Sequence, residues 1–259
     1  MPFIDVAGGR FNYRIDGKPE APVLMLSNSL GTDLDMWWPQ MPALTAKYRV
    51  VRYDTRGQGK SSATPGPYTI AQHGKDVLAL LDALAIERAN FCGLSMGGMI
   101  SIWLGIHAGH RLDKLVLCNT AAKIGTAERW NARIEAVRSG GMKSIAQGVI
   151  ALWFTPPFAE KHADDVARVR TMLETSPADG YIACCMAIRD MDQRARLGDI
   201  SVPTLVISGT QDTVTPPTEG AFAAEHVVNG RHVELDAAHL SNIEQRDKFT
   251  TALLDFLED

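Results

Sequence analysis

The sequence predicts an α/β domain, a mostly parallel sheet with helices on both faces and one helical cap insertion, and three observations predict it. Short β-branched or apolar runs alternate with turn residues and amphipathic segments through the first 122 residues. Residues 123–196 break that rhythm with helical patterns alone. The strand pattern then resumes over 197–259. The reading is a core made of 1–122 and 197–259, with 123–196 as a cap, and 259 residues suit one large core of this kind.

Each element has its own signal. Residues 10–16 alternate in the manner of an antiparallel edge strand. Val23-Leu24-Met25-Leu26-Ser27 is a buried strand, and Tyr48-Arg49-Val50-Val51-Arg52-Tyr53 is another that stops at the glycine-bearing loop Asp54-Thr55-Arg56-Gly57-Gln58-Gly59. From Thr69, an N-cap type, Val77, Leu80, Leu81 and Leu84 recur at helical spacing as far as Ala85. Ala89-Asn90-Phe91-Cys92 is a short strand, followed by a Gly-Leu-Ser-Met-Gly turn, a helix over about 96–108 and the strand Leu115-Val116-Leu117-Cys118. After the insertion come strands at Pro203–Ser208 and Arg231–Leu235, then a closing helix from Ser241.

Composition removes several function classes. A 46% hydrophobic and 22% charged chain with net charge −4 has no basic stripe to follow a phosphate backbone, so nucleic acid is not expected as a partner. No apolar run approaches the roughly 18–20 residues that span a bilayer, and the start Met1-Pro2-Phe3-Ile4 lacks a signal-peptide pattern. A cytoplasmic protein is the expectation, and a homo-oligomer is compatible with it. Cys92, Cys118, Cys184 and Cys185 have neither Cys-x-x-Cys spacing nor the number for a disulfide framework, and are read as small core residues.

Gly93-Leu94-Ser95-Met96-Gly97 sits between a strand and a helix, the setting in which a strained turn lifts a serine hydroxyl clear of the sheet. Flanking glycines fit such a turn, because side chains there would crowd the neighbouring strand and helix. Ser95 is thus the expected nucleophile. A serine hydroxyl needs a general base, and the base needs an orienting carboxylate. Asp212, just past the strand ending at Ser208, and His239, just past the last strand, follow Ser95 in the chain order of the α/β-hydrolase fold. His73, His107, His110, His162, His226 and His232 lack a matching carboxylate loop and are read as structural. Asp54 precedes the nucleophile and is read as holding its loop. Asn119, where some relatives place the acid, closes that alternative.

An oxyanion hole takes two backbone N–H groups. Met96, at the start of the helix, supplies the first, with the helix N-terminus adding favourable partial charge. Leu30, in the loop after Val23–Ser27, supplies the second. Many relatives place His-Gly just before this donor; here Asn28-Ser29 stands instead.

The combination of Ser27-Asn28-Ser29-Leu30-Gly31-Thr32-Asp33-Leu34, Asp54-Thr55-Arg56-Gly57, Gly93-Leu94-Ser95-Met96-Gly97-Gly98, Trp153-Phe154-Thr155-Pro156 and Ala238-His239-Leu240-Ser241-Asn242-Ile243-Glu244-Gln245 closely resembles the 3-oxoadipate enol-lactonases, the first and last segments being the narrower signals. The resemblance covers nearly the whole chain. It implies hydrolysis of 3-oxoadipate enol-lactone to 3-oxoadipate in the β-ketoadipate pathway of aromatic catabolism, with no metal or organic cofactor. It also implies a small-molecule lactone substrate carrying a second carboxylate.

A mostly apolar pocket with one cation would hold that carboxylate. Trp130 and Arg133 lie three apart on a predicted helix and share a face, and Trp153 offers another wall. The same residue types also serve as packing tryptophans and solvated arginines, and Arg189 competes for the role. Carboxylesterases, carbon–carbon bond hydrolases and perhydrolases use the same triad, and a ligand receptor on this fold can retain it, so pocket shape has to separate them.

Overall fold

The structure is a computed structural model that describes residues 2–259 except Ala7. Its strands are β1 (Phe3–Val6), β2 (Gly9–Asp16), β3 (Val23–Ser27), β4 (Arg49–Tyr53), β5 (Ala89–Leu94), β6 (Leu112–Cys118), β7 (Thr204–Gly209) and β8 (Gly230–Leu235). They form one sheet in the order β1-β2-β4-β3-β5-β6-β7-β8, antiparallel across β1, β2 and β4 and parallel from β4 onward. Residues 10–16 are antiparallel as expected, but they are not the edge. That position belongs to β1, four residues whose alternate side chains are exposed, too short and too wet to give a periodic signal.

The helices are α1 (Met41–Lys47), α2 (Ile70–Ala83), α3 (Met96–Ala108), α4 (Ala127–Trp153), α5 (Pro156–Lys161), α6 (Ala163–Glu174), α7 (Ala178–Asp190), α8 (Pro217–His226), α9 (Ser241–Glu244) and α10 (Arg246–Glu258). Thr69 caps α2 by accepting the Gln72 N–H. The closing helix is two pieces, α9 and α10, divided at Gln245. α4 is also interrupted, at Gly141, whose φ of +69° lies in the left-handed region that glycine tolerates. No described helix is long and apolar enough to cross a membrane.

The pleat sorts the strand residues between two cores. Met25, Val51, Phe91, Leu115 and Val206 pack with Val77 and Leu80 of α2, Ile100 and Leu104 of α3 and Ala223 of α8. Their alternates Leu24, Leu26, Val50, Cys92, Val116 and Ile207 pack with Leu44 of α1 and Phe249 and Leu253 of α10. That second core runs on into the insertion through Val149, Leu173 and Ile188, so α4–α7 share a buried interior with the sheet. All four cysteines are free and buried.

The loop after β4 is locked from below. Arg56 donates to both oxygens of Asp76 in α2, Nε to Oδ2 at 2.8 Å and Nη2 to Oδ1 at 2.6 Å, with both side chains almost wholly out of solvent. Removing one member of such a pair strands a desolvated charge. Asp76→Ala is therefore expected to cost about 3–5 kcal/mol of stability, read by chemical denaturation.

Candidate active site

Parallel strands end together, so the loops after β3, β5, β6, β7 and β8 meet at one rim of the sheet. Ser95 lies there between β5 and α3 with φ of +56°, a strained region for any residue with a side chain. Its surroundings hold it in that shape. Its N–H donates to the Cys118 carbonyl at 2.9 Å, its carbonyl accepts from the Thr120 hydroxyl at 2.8 Å, and the Gly97 N–H donates to the Asn28 carbonyl at 3.0 Å. A Cβ on Gly93 would come within 2.1 Å of the Gly97 carbonyl oxygen, and one on Gly97 within 2.2 Å of the Ser27 carbonyl oxygen. Both glycines are required by backbone proximity.

The structure brings Ser95, His239 and Asp212 together. His239 Nε2 is 2.9 Å from Ser95 Oγ, and His239 Nδ1 is 2.8 Å from Asp212 Oδ2. An ionised carboxylate only accepts, so Nδ1 carries the proton and Nε2 is free to accept from the serine hydroxyl. His239 is almost wholly buried and Ser95 only slightly exposed. Four further donors meet Asp212: the Val214 and Thr215 N–H groups at Oδ1, and the Thr215 hydroxyl and Asn119 Nδ2 at Oδ2, all at 2.7–3.0 Å. Burial pushes this carboxyl up, but His239, through charge and hydrogen bond, and the Thr215 hydroxyl and N–H outweigh it and hold it down at about 2. It stays ionised wherever the enzyme is folded near neutrality.

Asn119 is excluded as an acid by its chemistry and yet belongs to the site. It stands at the end of β6 with φ of +43°, a region asparagine enters more readily than most residues. Besides Asp212, its Nδ2 donates to the Ala238 carbonyl at 3.2 Å, and its Oδ1 accepts from the Ser241 hydroxyl at 2.5 Å. One amide thus spans the acid loop and both sides of His239. The only sequence signal is an asparagine just past a strand end, which does not reveal three loops converging on it.

The loop after β3 is equally fixed. Asn28 donates from Nδ2 to the Tyr53 carbonyl at 2.8 Å and accepts from Trp37 Nε1 at 2.9 Å, which gives a role to the residue that stands where many relatives have histidine. Gln58 Oε1 accepts the Gly31 N–H at 2.7 Å, and Asp54 Oδ1 accepts the Leu34 N–H at 2.7 Å. Asp54 also takes the Lys60 N–H and Asn12 Nδ2, both at 2.8 Å, so the structure places it as a loop clamp. Between these anchors the Leu30 N–H has no protein partner among the described residues, nor has the Met96 N–H at the start of α3. Two unengaged donors on braced backbone are what an oxyanion hole requires.

A pocket brings together Trp130, Arg133 and Trp153, with Val214, whose N–H donates to Asp212, in its lining. Trp130 Nε1 donates to the Ile124 carbonyl at 3.1 Å, which fixes the ring as a wall. Trp153 is nearly buried, and its carbonyl accepts the Leu240 N–H at 3.1 Å, joining the pocket wall to the residue after His239. Arg133 is half-buried and has no carboxylate within ion-pair distance among the described residues. Arg129, one turn earlier on α4, lines the same pocket, and its i, i+4 spacing to Arg133 was the available signal. Arg189 is engaged elsewhere, bidentate on Asp190 at 2.7 and 2.8 Å and on Asn131 at 2.8 Å.

The other histidines lie away from the triad. His73 is buried between Tyr68 and Cys184, where desolvation lowers it to about 3; His107 and His162 stack on aromatic neighbours, and His226 lies tilted against Phe222. His232 shares a hydrogen bond with Ser208 at 2.9 Å, and His110 sits in the turn before β6. Among the described residues no cluster of three or more His, Cys, Asp or Glu side chains is arranged to hold a metal ion.

Residues 22–168 match the family described as the alpha/beta hydrolase fold. A curated relative, 3-oxoadipate enol-lactonase 2 of Acinetobacter baylyi, is 46% identical over 93% of this chain and 91% of its own length. 3-Oxoadipate enol-lactonase 1 of the same organism is 43% identical over 97% of this chain and 94% of its own length. Among solved structures, the enol-lactonase from Burkholderia xenovorans matches with a TM-score of 0.98 and 46% identity, covering 100% of both chains.

Proposed function

This chain belongs to the α/β-hydrolase fold family and, within it, to the group that contains the 3-oxoadipate enol-lactonases, and we propose that it hydrolyses 3-oxoadipate enol-lactone to 3-oxoadipate through an acyl-enzyme on Ser95. The observation that carries the substrate is the 46% identity across 93% of the chain to a curated enol-lactonase. The pocket agrees with it in chemistry: two tryptophan walls suit a flat five-membered ring, and a guanidinium with no carboxylate partner among the described residues suits the carboxymethyl group.

The reaction runs on groups already in place. His239 Nε2 takes the proton as Ser95 Oγ adds to the lactone carbonyl, and the Met96 and Leu30 N–H groups receive the oxyanion. Collapse breaks the ring carbon–oxygen bond. The departing enol oxygen takes the proton from His239 and the enol then ketonises, so the leaving group asks less of the acid than an amide nitrogen does. A water deprotonated by His239 cleaves the acyl-enzyme and restores Ser95. Asp212 remains a carboxylate throughout and steadies each imidazolium. In this reading the partner is a small lactone, and the setting is the cytoplasm, where four buried thiols stay reduced.

The test compares kcat/KM for the enol-lactone with that for a simple aryl ester, with peracid formation from acetate and peroxide as a third arm. The lactone is expected to lead by at least two orders of magnitude. Turnover of the ester as fast as the lactone, or a dominant peracid reaction, removes the lactonase assignment and leaves a general serine hydrolase.

A further inference from the structure

The pocket and the oxyanion loop are joined by a side chain that the mechanism does not use. Tyr181, in α7, is fully buried. Its ring packs against Gly31, the residue after Leu30: a Cβ on Gly31 would stand 3.1 Å from Tyr181 Cε2 and 2.6 Å from Leu173 Cδ1, and φ there is +79°. At its far end the Tyr181 hydroxyl accepts a hydrogen bond from Arg133 Nη1 at 3.2 Å. A rigid ring therefore has one edge on the loop that presents an oxyanion donor and its oxygen on the pocket's cation.

Both ends of this spacer are held. Gly31 cannot recede, because its N–H is given to Gln58 Oε1, which also accepts from the Ser176 hydroxyl at 3.3 Å. The start of α7 is seated on the loop after β4, the one that carries Gln58: a Cβ on Gly180 would fall 2.1 Å from the Gly57 carbonyl oxygen, so backbone meets backbone with no adjustable side chain between. A tyrosine has only two rotatable side-chain bonds, and a buried one holds its hydroxyl at a fixed reach. The guanidinium, by contrast, sits on a long flexible stem and needs an anchor to be pre-organised.

We propose that Tyr181 is a specificity-determining positioning residue, setting the span between the oxyanion loop and Arg133 and so selecting enol-lactones whose second carboxylate lies at that span. The inference rests on the reading above that Arg133 receives the substrate's carboxylate. Tyr181 touches no reacting atom. Its effect is to present Arg133 at a distance from the scissile carbonyl that a carboxymethyl group fits, leaving a neutral lactone indifferent to it.

The test uses two substrates with the same enol-lactone ring, one bearing carboxymethyl and the other methyl, assayed with the parent, Tyr181→Phe, Arg133→Gln and the double variant. Tyr181→Phe keeps the ring and the packing, so thermal unfolding should change by only a few degrees. The ratio of kcat/KM values, charged lactone over neutral, is expected to fall about tenfold, chiefly through KM of the charged substrate. Arg133→Gln should lower the ratio further, and adding Tyr181→Phe to it should lower it no more. An unchanged ratio in Tyr181→Phe with a collapsed ratio in Arg133→Gln overturns the spacer role and leaves the Arg133 subsite standing. An unchanged ratio in Arg133→Gln overturns the subsite and the spacer role together. Equal loss on both lactones in Tyr181→Phe marks a packing residue and also overturns the proposal.

Discussion

Ser95→Ala is expected to lower kcat for the enol-lactone by about four orders of magnitude or more while leaving the fold intact. The size follows from what the hydroxyl does: without it no acyl-enzyme forms, and what remains is lactone held against two N–H donors with His239 free to activate water. The fold survives because alanine is no worse than serine at φ of +56°, and the hydrogen bonds that hold the turn belong to backbone atoms of Ser95 and Gly97. Steady-state turnover and thermal unfolding of the same preparation check both halves. Retention of a tenth of the activity would remove Ser95 from the mechanism. Tight lactone binding by the variant, paired with negligible turnover in the parent, would point to a receptor built on this fold.

How much of this was legible in the chain depends on how local each signal is. The serine turn is visible because its requirements are contiguous: a strand, two glycines at fixed offsets and a helix start. The acid and base are visible because each follows its own strand, and chain order then restricts the pairing. β1 is not visible, since four half-exposed residues carry no period. The bridging roles of Asn119 and Gln58 are invisible for another reason. Each is a buried amide whose value lies in joining loops more than 20 residues apart in sequence, Asn119 to Asp212 and Ser241, Gln58 to Gly31 and Ser176. Trp130 and Arg133 emerge from helical spacing, whereas Tyr181, 48 residues further on, meets Arg133 only through the packing of α7 against α4.

The second large effect concerns tautomers more than charge. Asp212 Oδ1 and Oδ2 are met by five donors: Val214 N–H, Thr215 N–H, the Thr215 hydroxyl, Asn119 Nδ2 and His239 Nδ1. Asp212→Asn replaces one acceptor oxygen with an amino group, which must face two or more of those donors whichever way the amide turns. Facing Oδ2's partners, it obliges His239 Nδ1 to accept, which moves the imidazole proton to Nε2 and points it at Ser95 Oγ. The base is then already protonated where it should accept. Facing Oδ1's partners, it opposes two N–H groups fixed by backbone and breaks the loop that carries the acid. We expect kcat to fall by about four orders of magnitude, with the loss persisting across the neutral pH range, because a displaced tautomer is not recovered by adding base there. A pH–rate profile of the variant checks this. A loss of tenfold or less would show that Asp212 acts only by its charge on the imidazolium, and that the five-donor arrangement serves the loop alone.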